Sequence, residues 1–306
     1  MNAWRTSLLL APALGVVALS HDAHAYCLAR TCDPLKTACA LEAGCIVTGK
    51  PLHWPSDCVG FAVQKDGSEE QGISARIVAD LAQAAFDRWS DVDCPDGGHP
   101  SITAEYLGTV ECARSEFSEN KKNANIIILR DEWPYPTGQG VLGLTLVRFG
   151  TDSGRLQDAD IEINGEEFEL SVEEPVAEAD LASVLTHEIG HFLGLNHTKV
   201  EDATMFAEYA PQETSTRTPA DDDIDGICEL YPADRDLEDE SCEPERGFSA
   251  ECLADQPLPA SAADDAGGGC HAATRAPNAG SAWLFGVLLA GTWIRRGGRL
   301  RKQPRP

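Results

Sequence analysis

Apolar residues alternate with polar ones in PLHWPSDCVGFAVQ, where Val59, Phe61 and Val63 occupy every second position and predict a strand with one inward face. The period then changes. Ile77, Leu81, Ala85 and Trp89, with Val78 and Phe86 beside them, recur at three- and four-residue spacing, so residues 73–90 predict an amphipathic helix packed on a sheet. Four short β-rich runs follow at 101–107, 125–129, 141–147 and 158–163, separated by loops rich in glycine and aspartate. Asp180 stands just before Leu181, Val184, Leu185, Ile189 and Phe192, where its side-chain oxygen can cap the start of a second helix. Strands and helices interleaved in this way predict one α+β domain with α/β character over residues 51–232.

The flanking segments follow other patterns. Residues 1–25 carry Arg5, an apolar run from Leu8 to Leu19 and the small-x-small sequence Ala23-His24-Ala25, which reads as a secretory signal peptide rather than a buried helix. Residues 26–50 form a cysteine-rich segment. From 233 to 269 the chain is acidic and rich in alanine, proline and glycine, the composition of a solvated linker. Residues 270–306 form a tail in which 276–294 are uncharged and precede Arg295, Arg296, Arg299, Arg301, Lys302 and Arg305. As a helix that uncharged stretch reaches about 28 Å, just enough to cross the hydrocarbon core of a membrane with its basic end on the cytoplasmic side.

Composition narrows the chemistry. Fifty acidic against 24 basic residues give a formal charge of −26, which argues against nucleic acid as a partner. Eleven cysteines behind an export signal argue for disulfides, and the absence of any CxxC pair argues against a cysteine zinc cluster. Cys94 and Cys112 flank a candidate local loop; Cys242 and Cys252, with Cys228 nearby, flank another.

The run HEIGHFLGLNH at 187–197 carries the strongest chemical signal. Residues four apart share a helix face, so His187 and His191 can present ring nitrogens to one metal ion, with Glu188 beside them. Gly194 can take positive φ, end the helix and turn the chain so that His197 supplies a third ligand. Three imidazoles leave a fourth position open, which a catalytic zinc requires, and Glu188 is placed to take a proton from water there. No other histidine lies between Cys112 and Cys252.

HExxHxxGxxH is the signature of the metzincins, and the chain resembles their matrixin branch, which includes the matrix metalloproteinases. That resemblance implies a metzincin fold, with a twisted mixed sheet, an active-site helix and a C-terminal helix, and a zinc-dependent endopeptidase acting on protein or peptide substrates. It also implies a methionine turn at Met205, eight residues after His197 in ATMF, and a C-terminal helix at DDIDGICELYP in which Asp223 anchors that turn. The strand at 141–147 becomes the sheet edge to which substrate adds, and residues 206–211 border the pocket beside the scissile bond. The chain departs from the family in lacking a PRCGxPD-like segment and the histidines of a second zinc site. Asp152, Asp158 and Asp160 are candidate calcium ligands, set against the plainer reading as solvated loop acids.

The tail resembles the C-terminal sorting signals of myxobacterial surface proteins: Gly-Gly-Gly-Cys ending at Cys270, a short apolar helix and an arginine cluster. The expected location is therefore secreted or at the cell surface, with membrane contact through the tail before processing at Cys270, or a plain membrane anchor. A zinc-containing surface adhesion or scaffold module without turnover is the competing function, and hydrolysis of a non-peptide amide a third. Glu188 argues against the module, because a structural site needs no such carboxylate.

Overall fold

A computed structural model describes residues 25–252 apart from 35–36, 136–139 and 236–240. The signal-peptide reading and the tail with Cys270 lie outside the described residues. Among the described residues no helix is long and apolar enough to cross a membrane.

Short strands β1 (Cys27–Leu28), β2 (Leu41–Glu42) and β3 (Cys45–Ile46) precede β4 (Cys58–Gln64), helix α1 (Ala75–Ser90), β5 (Thr103–Val110), β6 (Ile126–Arg130), β7 (Gly143–Phe149) and β8 (Leu156–Asn164). Then come β9 (Leu170–Ser171), β10 (Ala179–Asp180), α2 (Leu181–Phe192), β11 (Leu195–Asn196), a 3-10 turn (Ser215–Arg217) and α3 (Asp221–Leu230). The main sheet runs β5-β4-β6-β8-β7, parallel throughout except for β7, which pairs antiparallel with β8 and forms one edge. This is the expected mixed sheet of an α+β fold with an active-site helix and a C-terminal helix.

Helix α1 begins where Ser74 Oγ accepts from Ile77 N, and it buries Val78, Ala82, Ala85, Phe86 and Trp89. Ile77 and Leu81, expected on the inner face, lie at its margin and are only partly buried. The core joins α1, α2 and one sheet face through aromatic rings: Phe86 meets Phe192 edge-on at 5.1 Å and Phe61 at 4.9 Å. Two indoles fix the height of α2, since Trp89 Nε1 donates to Thr186 O and Trp54 Nε1 to Phe192 O, each at 2.9 Å.

Strand β4 departs from the one-sided strand expected of it. From Val59 to Gln64 every residue is buried, because the second sheet face also has a cover. Phe248 packs there against Ala62, Val110, Ala124, Ile126 and Ile128. It belongs to residues 241–252, where Cys242 is bonded to Cys58 and Cys252 to Cys112. Neither local loop expected from cysteine spacing forms, since Cys94 pairs with Cys228 across the fold. In the cysteine-rich segment Cys27 pairs with Cys45 and Cys32 with Cys39. Proximity in sequence fails as a guide here because sheet and helix packing, not loop length, bring the sulfurs together.

Candidate metal centre

Helix α2 starts at Asp180, whose Oδ2 accepts from Ser183 N at 2.8 Å as a cap. Arg217 grips the same carboxylate with two bonds, Nε to Oδ2 at 2.8 Å and Nη2 to Oδ1 at 2.7 Å, which fastens the 3-10 turn to the helix. Burial works against the ionised form of Asp180, but Arg217 and Ser183 outweigh it and hold the carboxyl below its ordinary range. Every residue of α2 is buried, so its polar side chains need partners.

The helix ends at Phe192, and Gly194 follows with φ of +103°. A side chain there would also meet Leu52 O at 2.3 Å, so the position requires glycine for conformation and for space. The turn carries the chain into β11, which pairs with β1, and brings His197 back over α2.

The three expected histidines converge. His197 Nε2 lies 3.2 Å from His187 Nε2 and 3.1 Å from His191 Nε2. His187 Nδ1 donates to Thr204 O at 2.6 Å and His191 Nδ1 to Leu195 O at 3.0 Å. A carbonyl only accepts, so each of those rings carries its proton on Nδ1 and directs the lone pair of Nε2 into the cluster. Burial lowers the affinity of all three rings for a proton, to about 4 for His191, which keeps them neutral. Neutral nitrogens crowded in this way suit a cation. Around tetrahedral zinc, with nitrogens about 2.0–2.1 Å from the metal, they would stand about 3.3 Å apart. The donor set and its spacing therefore fit zinc.

Glu188, one residue along the helix, is 1% exposed. Its Oε2 accepts from Thr145 Oγ1 of β7 at 2.7 Å. Burial pushes its carboxyl up to about 8, and the Thr145 bond pulls the other way. A cation on the imidazoles would draw it back down.

Beneath the histidines, Met205 is 2% exposed and sits against Gly190, where an added Cβ would stand 2.2 Å from the methionine sulfur. Asp223 of α3 binds the turn: Oδ2 accepts from Thr204 N at 2.7 Å and Oδ1 from Met205 N at 3.0 Å. Since Thr204 O in turn receives the proton of His187, Asp223 orients a histidine through two intervening bonds. Residues at this site that escaped sequence reasoning include Gly143, Thr145, Gly190 and Arg217. Only Gly190, a glycine inside a helical pattern, carried a local signal.

The candidate calcium ligands do not gather. Asp158 and Asp160 lie in β8 at 2% and 1% exposure, not in a solvated loop, while Asp152 is exposed in the turn after β7. Asp160 is already engaged by Ile126 N at 2.7 Å and Glu116 N at 3.0 Å. Among the described residues the histidine trio draws its ligand atoms within 4.8 Å of one another, and the three aspartates form no such group. The alternation of β8 explains the difference: it turns 158, 160 and 162 toward the covered second face of the sheet.

Residues 114–232 match the matrixin family profile, a span that holds all of these site residues. The chain is 36% identical over 185 residues to Metalloendoproteinase 1-MMP of Arabidopsis thaliana, covering 60% of this chain and 45% of that protein. It is 38% identical over 153 residues to Metalloendoproteinase 1 of Glycine max, covering 48% and 43%. Over 55 residues it is 46% identical to the neutrophil collagenase of Homo sapiens, covering 18% and 12%. The chain thus spans less than half the length of these curated relatives. Converging histidines, the Met205 turn and the matched span agree on one description: residues 114–232 are similar to matrixin and hold the candidate metal centre.

Proposed function

We propose that the chain is a zinc-dependent endopeptidase that cleaves protein or peptide substrates. The observation that carries this reading is the buried carboxyl of Glu188, one residue along α2 from His187, together with three neutral imidazoles whose Nε2 atoms converge.

His187, His191 and His197 would hold the ion. Bound there, zinc supplies Lewis acidity toward water and toward a carbonyl oxygen. Glu188 takes the proton of the attacking water and later passes it to the departing amine nitrogen, so no covalent bond to the protein forms. Asp223 and the Met205 turn keep the His187 ring in its working tautomer. The antiparallel edge β7 offers backbone groups to an extended substrate. Residues 206–211 border the pocket beside the scissile bond, where Tyr209 ties this loop to α2 by accepting from Asp180 N at 2.9 Å. The five disulfides among the described residues suit work outside a reducing cytosol, in keeping with export by residues 1–25.

The test is metal removal. Purified full chain is expected to cleave a diverse peptide library, to lose that activity in a chelator and to regain it with one equivalent of zinc. Cleavage that survives complete removal of zinc would refute the reading.

A further inference from the structure

We propose that Thr145 is a positioning residue that fixes one oxygen of Glu188 and so dedicates the other to proton transfer; this rests on the reading of Glu188 as the general base. Thr145 lies in the middle of β7, is 1% exposed and faces α2. Its hydroxyl stands 2.7 Å from Glu188 Oε2 and 3.1 Å from the backbone oxygen of the same residue. It has a single hydrogen. The side-chain oxygen is the nearer acceptor, so the proton goes to the carboxyl group.

The second contact is steric. Gly143 is two residues earlier in β7 and therefore on the same face. A Cβ there would stand 2.5 Å from Glu188 Oε1 and 2.8 Å from its Cδ and Cγ. No positive φ calls for glycine at this position, so space is what it provides. The carboxylate is thus seated on the strand at two points: bare backbone at Gly143 under Oε1, and a donor at Thr145 on Oε2.

Among the described residues Oε1 has no hydrogen-bond partner, which leaves it to receive the proton of water and release it to the leaving nitrogen. Without the hydroxyl at 145 the carboxylate can rotate between orientations, and only some of them aim an oxygen at the reacting atoms. The expected loss falls on turnover and spares substrate binding.

Thr145→Val keeps the shape and removes the donor, while Thr145→Ser restores the donor in a smaller side chain. In zinc-loaded full chain we expect Thr145→Val to lower kcat by about 10- to 100-fold, with KM changed by less than about twofold and zinc content equal to native. Thr145→Ser should recover most of the loss. Native kcat in Thr145→Val, or a Thr145→Ser variant as impaired as the valine one, would overturn the proposal. Crystal structures of native and both variants read the same point without turnover: the Glu188 carboxylate should leave its seat in Thr145→Val and keep it in Thr145→Ser. An unmoved carboxylate in Thr145→Val overturns the assignment. If native protein cleaves nothing, the general-base reading fails, and the carboxylate position still decides whether Thr145 holds it.

Discussion

At residue scale the unusual group is a carboxyl buried next to three imidazoles. Without metal, Glu188 holds its proton in the folded protein up to about pH 8, whereas the unfolded chain releases it near its ordinary 4.5. Between those values the folded state binds the extra proton, so this group's contribution is intact below 4.5 and is lost as pH rises to 8. Glu188→Gln removes that dependence. In chelator-treated protein the thermal midpoint of Glu188→Gln minus that of native should therefore grow from pH 4.5 to 8 and level off above it; a difference independent of pH would contradict the burial argument. The convergence of His187, His191 and His197 was legible because one helix and one glycine turn bring them together, and both are written in the sequence. Thr145 was not, since a threonine in a strand is ordinary until the fold lays it 43 positions away against Glu188.

At the scale of elements, both long helices were readable from period, and α2 also from its cap at Asp180, whereas the Ser74 cap of α1 emerged only with the structure. The strands of the main sheet were found with ends displaced by a few residues, because hydrogen-bond pairing rather than hydropathy sets where a strand stops. The two-residue strands β1, β2, β3, β9, β10 and β11 carry too few positions to show any period. Even so, β11 matters, since its pairing with β1 steadies the return of the chain from Gly194 to His197. The double burial of β4 was hidden for a different reason: its second cover, Phe248, comes from a stretch with the composition of a linker.

At the scale of the molecule the sheet order and the disulfide pairing were the illegible parts, since both depend on contacts between distant segments. The bond between Cys112 and Cys252 closes a separation of 140 residues, and Cys58 to Cys242 one of 184. Bonds over such spans restrict the unfolded chain strongly. Replacing Cys112 and Cys252 together with alanine should cost about 2–5 kcal/mol and lower Tm by roughly 5–15 °C. Cleavage at room temperature should persist, because neither sulfur touches α2 or the methionine turn. Calorimetry beside a peptide assay checks both halves; an unchanged Tm would mean that residues 241–252 do little to hold the second sheet face.

The whole arrangement, from the indoles that set α2 to the aspartate under the Met205 turn, converges on one carboxyl and three imidazoles. The direct measurement is peptide cleavage by zinc-loaded full chain against Glu188→Ala, with bound zinc assayed in both. The account predicts equal zinc and a rate lowered by about 10²- to 10⁴-fold, the contribution of a general base. A variant that cleaves at the native rate with its zinc in place would contradict it.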